Sequence, residues 1–312
     1  INIGLRFDQF NPDDDYVSNL VNPEGEKSKA KIKKMYSPRF GISFPITEKG
    51  IVHFSYGHFY QMPTLRNLYK QSIFGANQSP TIGYANLNPE KTIQYEFGVQ
   101  QQLLQFVAVD MSIYYKDVRD LLALQSISYD SPNYGPSSYN IYLNKDYATI
   151  KGLTFSLTKR YDPITRISAF FDYGYQISEG NSITSGSFYF NTLTGEQEEK
   201  KVVPLSWDQK HIFNATVTYN HFNKWGISFI GKLSSGWPYT PNIPFANYVP
   251  EPNSDRKPWQ KNVNARLFKS IPFGKHSLVF FTKIAFRLAR NLSISSDSIF
   301  ISDACPSAPP NG

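Results

Sequence analysis

The joins between the hydrophobic segments of this chain are sorted by length, short alternating with long. Four short ones read Thr47–Gly50, Tyr161–Thr165, Asn220–Lys224 and Phe273–Lys275, and a fifth lies near Leu104–Gln105. Between them run stretches of roughly twenty to thirty residues rich in Gly, Pro, Asn, Ser and Tyr, such as Asn11–Met35 and Gln61–Pro89. A transmembrane β-barrel has this rhythm, with tight turns at the periplasmic rim and long loops outside. A soluble sandwich has no physical reason to sort its connections in this way.

The segments themselves alternate. Successive side chains of a strand point to opposite faces, so a strand with lipid on one side and water on the other alternates apolar with polar residues. Ile167, Ala169, Phe171, Tyr173, Tyr175 and Ile177 share one face, against Ser168, Phe170, Asp172, Gly174 and Gln176. Ile93, Tyr95, Phe97 and Val99 oppose Gln94, Glu96, Gly98 and Gln100, and Val107–Lys116 and His211–Asn220 repeat the pattern. A half-buried strand of any sandwich alternates too. Here the polar face carries Asp, Glu, Lys, Gln and Asn, which suits a wet lumen, and the apolar face is crowded with Tyr and Phe, which suit membrane interfaces. The expected fold is all-β: an antiparallel transmembrane barrel, here an open partial barrel of about eleven strands with long extracellular loops. The strands are expected near 1–9, 35–46, 51–60, 91–103, 106–120, 147–160, 166–178, 207–220, 225–237, 261–272 and 276–284. The long loops, near 10–35, 61–90, 122–146, 179–206 and 238–260, are expected together on one side. Phe97, Phe171, Tyr173 and Val217 are expected to face lipid, and Arg39, Glu96, Asp110, Asp172 and Asn214 to face the lumen.

Composition narrows the field. The 312 residues are 40% hydrophobic and 16% aromatic, with no run near the ~18 apolar residues that a membrane-spanning helix needs. Cys305 is the single cysteine, so no disulfide framework is available, and no cofactor is expected. The net charge of +7 is partly local, because Lys27, Lys29, Lys31, Lys33 and Lys34 fall in one predicted loop. That loop reads as solvated, touching anionic headgroups. Nucleic acid is not an expected partner, because a nucleic-acid groove interleaves its cations with stacking aromatics, and here most aromatics take the apolar face. The chain begins inside a strand pattern at Ile1, and alternation stops near Ile284. Residues 1–284 read as barrel wall and 285–312 as an irregular tail, expected to be truncated or frame-altered.

Several segments carry a family resemblance. Ser37-Pro38-Arg39-Phe40-Gly41-Ile42-Ser43-Phe44-Pro45, a turn, and Phe54-Ser55-Tyr56-Gly57-His58-Phe59-Tyr60-Gln61-Met62-Pro63 resemble strands of TonB-dependent outer-membrane receptors, in a style closest to Bacteroidetes-type members. Leu87-Asn88-Pro89-Glu90-Lys91-Thr92-Ile93-Gln94-Tyr95-Glu96-Phe97-Gly98 is similar to that family's strand opening. Tyr147-Ala148-Thr149-Ile150-Lys151-Gly152-Leu153 and Leu205-Ser206-Trp207-Asp208-Gln209-Lys210-His211 resemble later barrel strands. The resemblance implies a 22-stranded barrel occluded by a plug that periplasmic TonB remodels, of which this chain would hold about strands 11 to 21. It implies a location in the outer membrane, a scarce small nutrient as ligand, and lipid, TonB and the plug as partners; a surface lipoprotein is a further candidate partner.

No catalytic or metal constellation emerges. His53 and His58 are an odd offset apart, so one regular strand turns them to opposite faces, while His211, His221 and His276 lie at strand starts or beside turns. Asp13-Asp14-Asp15 has carboxylates suited to Ca²⁺ but no glycine-pinned loop around them. There is no Gly-x-Ser-x-Gly elbow, and no enzyme is expected. Loop aromatics cluster at Tyr69, Phe74 and Tyr84; at Tyr129, Tyr134, Tyr139 and Tyr142; at Phe188–Phe190; and at Trp237 and Tyr239. They suit either ligand stacking or an interfacial girdle. Trp237, Tyr239, Phe74 and Tyr84 are the expected ligand contacts. The function read from this is a receptor or transporter that binds its nutrient at the external loops. The rivals are a passive porin-like barrel and a surface glycan-binding or adhesin protein.

Overall fold

A join of two to seven residues leaves consecutive strands no choice but to lie side by side and antiparallel. The computed structural model, which describes residues 1–70, 80–132, 135–181, 201–222, 224–241, 250–273 and 276–288, follows that logic throughout. The wall strands are β1 (Asn2–Phe10), β4 (Lys33–Thr47), β5 (Gly50–Gln61), β7 (Glu90–Leu104), β8 (Val107–Ser131), β9 (Gly135–Lys159), β10 (Ile167–Gly180), β12 (His211–His221), β13 (Trp225–Ser234), β16 (Gln260–Phe273) and β17 (His276–Leu288). The loop pieces are β2 (Asp15–Val17), β3 (Lys27–Lys29), α1 (Leu65–Tyr69), β6 (Thr81–Ile82), β11 (Val203–Pro204), β14 (Pro238–Tyr239) and β15 (Asp255–Arg256). Among the described residues the eleven wall strands pair in sequence order, every pair antiparallel, as an open sheet with β1 and β17 at its edges. The five short joins expected from sequence all fall at one end of this sheet, and the long ones, with the join between Ser131 and Gly135, at the other. Strand β17 runs to Leu288, and the rest of the predicted tail, 289–312, lies outside the described residues.

One expected loop is not a loop. Within 122–146, read from composition as a long connection, residues 122–131 and 135–146 form the upper halves of β8 and β9, which continue pairing to Ser131 and Gly135. Each of these strands has 25 residues, about 80 Å at ~3.3 Å per residue, whereas a tilted span needs about 9–11. The upper hairpin therefore extends well beyond the length of a tilted span. It is set off from the wall by register shifts between Val118 and Leu122. There Asp120 adopts φ 60° and its carbonyl accepts Asn144 Nδ2 at 2.7 Å. Asp tolerates this left-handed conformation better than most residues.

Register separates two faces. Gln100, Asp110, Ser156, Asp172, Asn214, Lys232 and Asn262 are successive cross-strand partners, so they share one face. Hydrogen bonds tie this row together: Ser156 Oγ donates to Asp172 Oδ1 at 2.9 Å and Asn214 Nδ2 to Asp172 Oδ2 at 3.3 Å. On the same face Gln94 Nε2 donates to Glu96 at 3.1 Å, and the Arg39 guanidinium lies 4.9 Å from the Phe59 ring centre. Tyr114 reaches across β9 to donate to Gln176 Oε1 at 3.1 Å. This explains Gly152, where a Cβ would meet the Tyr114 ring at 2.5 Å and the Tyr175 carbonyl oxygen at 2.7 Å. The other face presents exposed Leu5, Phe44, Phe97, Ile113, Phe155 and Phe229, with Phe171, Tyr173 and Val217.

Aromatic clusters mark the two ends of that apolar face. Near the short joins the His221 ring stacks on Trp225 at 5.7 Å, and Tyr219 approaches the same indole at 5.4 Å. Near the long joins His211 stacks on Trp259 at 5.7 Å and meets Tyr175 at 5.2 Å. Trp225 pairs with Lys269 of β16, ten residues on from Trp259, which directly precedes that strand. That separation is about 33 Å of strand, or about 25 Å of height at a ~40° tilt, which is the height of the apolar band of an outer-membrane barrel.

Candidate functional site

The long joins and the upper β8–β9 hairpin fold into two loop assemblies, and these hold most of the largest fully buried side chains, among them Tyr139, Leu68, Leu87, Ile141, Leu205 and Asp208. In the first, the upper β8–β9 hairpin turns Ile127, Tyr129, Tyr139, Ile141 and Leu143 onto Leu20, Ile82 and Tyr84 from the preceding loops. Tyr139 has no exposed surface, meets Tyr129 edge-on at 5.7 Å and donates its hydroxyl to the Leu20 carbonyl at 2.6 Å. Strand β6 pairs parallel with β9 at Thr81–Asn140 and Ile82–Ile141, covering an edge that β10 leaves free beyond Gly180. Tyr69 donates to the Pro12 carbonyl at 2.8 Å, and Ser131 Oγ to Glu24 at 3.0 Å.

Lys33 belongs to this assembly and corrects the reading of a solvated lysine loop. Its side chain is buried and donates to Asn86 Oδ1 at 2.8 Å, to the Asn86 carbonyl at 3.0 Å and to Asn88 Oδ1 at 3.1 Å. Burial, with the nearby Lys31 charge, lowers its pKa from the ordinary lysine value. The ammonium acts as a three-point clasp between β4 and the loop before β7.

The tyrosines make the assembly alkali-sensitive. Burial pushes the Tyr139 phenol from 10.0 up to about 12, with Tyr129 and Tyr84 shifted in the same direction. A folded-state pKa above the unfolded one means that the folded form holds its proton more tightly. Stability is then full below pH 10.0 and is lost as pH rises towards about 12. The assembly is expected to open across that window, seen as phenolate absorbance appearing together with faster amide exchange in 15–29. Phenolate formation near pH 10.0 without any change in exchange would contradict this.

The second assembly is organised by Asp208, which is 1% exposed. Its Oδ1 accepts the Ser178 amide at 2.8 Å, its Oδ2 pairs with Arg256 Nη2, and its carbonyl accepts Arg256 Nη1 at 2.9 Å. One carboxylate thus joins the end of β10, the loop before β12 and the β14–β15 hairpin. Asn253 Nδ2 donates to the Pro204 carbonyl at 2.8 Å, and Gln209 Nε2 to the Ser235 carbonyl at 2.8 Å. Gly236 is dictated by the same closure, because a Cβ there would lie 1.5 Å from the Lys257 carbonyl oxygen.

This hairpin presents two of the expected ligand contacts. Trp237 is 43% exposed and Tyr239 is 36% exposed. The Trp237 carbonyl accepts the Lys257 amide at 2.9 Å, and the Tyr239 hydroxyl donates to Asp255 Oδ2 at 2.8 Å. That bond holds the Tyr239 phenol above, and the Asp255 carboxyl below, their ordinary pKa values. Tyr84 instead sits in the first assembly, partly buried against its core and 5.3 Å edge-on from Tyr16. Phe74, Tyr134 and Phe188–Phe190 lie outside the described residues. Asp208 and Arg256 are functional residues that the sequence does not flag, because an Asp after Trp207 and an Arg in a Pro-rich loop carry no local signal of their mutual contact. Among the described residues no group of three or more His, Cys, Asp or Glu side chains converges on a common point.

On the polar face, Gly4, Gly41 and Gly57 floor a depression of about 420 Å³ bounded by Arg39, Phe59 and Gln94. Its polar edges and glycine floor suit an occupant packed closely against the wall.

Comparison with known proteins bears on all of this. The family model described as TonB dependent receptor-like, β-barrel, matches residues 1–286. Among solved structures the chain is similar to the outer membrane transporter YddB from Escherichia coli, at a TM-score of 0.55 and 15% identity over 76% of this chain and 34% of that one. It is also similar to the ferric enterobactin receptor of Pseudomonas aeruginosa in complex with enterobactin, at 0.55 and 13%, covering 79% of this chain and 34% of that one. The FrpB iron transporter from Neisseria meningitidis is comparable, at 0.52 and 12%, covering 86% and 34%. At such identities the structural likeness bears on the fold alone, and the chain spans about a third of the length of these neighbours. Comparison with curated proteins finds no match.

Proposed function

Since the chain belongs to the TonB-dependent receptor β-barrel family, we propose that it forms barrel wall and external loops of an outer-membrane receptor for a scarce nutrient. In this reading the polar face, with Arg39, Glu96, Asp110, Asp172 and Asn214, lines the lumen, and the glycine-floored depression receives part of a plug. TonB, acting on that plug, supplies the energy for uptake. The observation that carries the proposal is the sorting of surfaces: a polar row hydrogen-bonded at Asp172 on one face, exposed apolar rings on the other, and all long loops at one end. Family membership favours a gated receptor over a passive pore or an adhesin.

Ligand recognition is placed at the β14–β15 hairpin, where two rings are held open to solvent by backbone and side-chain bonds. Interface aromatics of this kind cost 2 kcal/mol or more when truncated, about thirtyfold in affinity. In the intact receptor, Trp237→Ala with Tyr239→Ala is expected to weaken binding by about that factor across a panel of ferric siderophores, cobalamin, glycans and peptides. Heat-modifiable migration of the barrel should be unchanged. Unaltered affinity in the folded fraction, with folding itself impaired, would assign the two rings to an interfacial girdle instead.

A further inference from the structure

The apolar face ends, on the loop side, in a row of cations that the receptor reading does not use. Following alternation from the exposed rings upward, Lys91 of β7, Arg119 of β8 and Lys151 of β9 all fall on the lipid-type face. Lys91 and Arg119 are direct cross-strand partners. Like charges directly opposite each other destabilise a sheet unless something anionic offsets them. Asp117 pairs with Arg119 at 3.0 Å. Among the described residues no acid lies within ion-pair distance of Lys91 or Lys151; Lys91 instead lies over the Tyr60 ring at 5.9 Å. The Arg119 guanidinium faces the Tyr147 ring at 5.4 Å, so its fork is held in place while its side chain stays 56% exposed.

Beneath Lys91 and Arg119 the chemistry changes in the order of a lipid molecule. Tyr95 and Tyr115 are cross-strand partners and both are exposed, and Lys151 pairs with Tyr115. Immediately below them Phe54, Phe97 and Ile113, with the rings of Tyr95 and Tyr115, border an apolar depression of about 190 Å³. Lys91 and Arg119 stand uppermost, Lys151 lies level with the amphipathic rings of Tyr95 and Tyr115, and a hydrocarbon shelf lies lowest.

We propose that the Lys91–Arg119–Lys151 rim, with the Phe54–Phe97–Ile113 shelf, is a binding site for an outer-leaflet lipid with a phosphorylated headgroup. The inference rests on the proposed membrane orientation, which puts the long loops outside. Phosphate matches the planar guanidinium fork bidentately and accepts from both ammonium groups. A lysine on a lipid-facing wall is costly at mid-bilayer and nearly free at the interface, and Lys151 can extend its stem upward to reach it. One acyl chain then lies along the shelf, where it covers exposed aromatic surface. Occupancy would add to the Asp117 carboxylate in offsetting the Lys91–Arg119 repulsion, so the lipid would also brace the β7–β8–β9 wall just below the upper hairpin.

The test uses the intact receptor in neutral detergent micelles doped with a bis-phosphorylated disaccharide glycolipid, or with the same glycolipid after dephosphorylation. Bound lipid is counted by native mass spectrometry. Wild type should retain the phosphorylated form in preference to the dephosphorylated one. The variant carrying Lys91→Gln, Arg119→Gln and Lys151→Gln should lose that retention by on the order of a hundredfold. Lys27→Gln with Lys29→Gln, cations in the loop hairpin β2–β3, should leave it unchanged. Equal retention of the two lipids by wild type, or equal retention by wild type and the triple variant, overturns the site. Heat-modifiable migration, read on every sample, reports the membrane-barrel reading separately: its loss in wild type speaks against that reading, and its retention leaves the lipid comparison to decide the site.

Discussion

Asp208→Ala is expected to be among the most damaging single substitutions in the wall and loops described. It removes at once the acceptor of the Ser178 amide and the partner of Arg256, both held by a carboxylate that is 1% exposed. Breaking a buried ion pair from one side costs about 3–5 kcal/mol. The Arg256 side chain retains 28% exposure, so about 3 kcal/mol, the lower end of that range, is the expected value. Arg256→Ala should cost a similar amount by stranding the carboxylate. The double substitution should cost clearly less than the two together, because neither partner is then left unpaired. The readout is the temperature at which heat-modifiable migration is lost, with protease nicking in 235–259 as the local measure. Additive single effects, each below about 0.5 kcal/mol, would remove the latch from this account.

Tyr139→Ala is expected to open the first loop assembly. Removing a fully buried aromatic ring costs about 3–5 kcal/mol through lost burial and the cavity left behind. Here it also strands the Leu20 carbonyl that the hydroxyl serves. Tyr139→Phe isolates the second contribution and should cost about 1–2 kcal/mol. The ladders below the bulge at Asp120 do not depend on this ring, so the loss should be local. Amide exchange in 15–29 and 81–84 should rise in the Ala variant while the paired segments 107–118 and 148–159 stay protected. If exchange rose equally in the wall, the hairpin would be part of the barrel's own stability and not a separate cap.

The period of two was legible because each wall strand separates lipid-type from water-type surface at every residue. That constraint is local, so Asp172 and Phe171 could be sent to opposite faces without knowing their neighbours. Joins such as Thr47–Gly50 were legible for the same reason, and they set sequential pairing. The upper hairpin was missed although Tyr139, Ile141 and Leu143 alternate cleanly. Its Gly, Pro, Ser and Asn content resembles a loop, and what it packs on, Leu20, Ile82 and Tyr84, comes from sequence more than forty residues away. Lys33 was misread as solvated because its three acceptors lie more than fifty positions further on.

The sequence by itself thus determined the architecture: all-β, antiparallel, sequentially paired, polar on one face and apolar on the other, with long joins at one end. These properties follow from alternation and join length, which act between residues a few positions apart. Only the tertiary structure decided which loop residues are core and which are presented. Tyr84 and Tyr139 became packing, Trp237 and Tyr239 stayed open, and Asp208 met Arg256 across two loops. Nor could sequence reveal that Lys91 and Arg119 stand opposite each other on the apolar face, since cross-strand register depends on the turn between them. Such contacts are set by long-range closure, in which each side chain's partner is chosen by the fold and not by its neighbours in the chain.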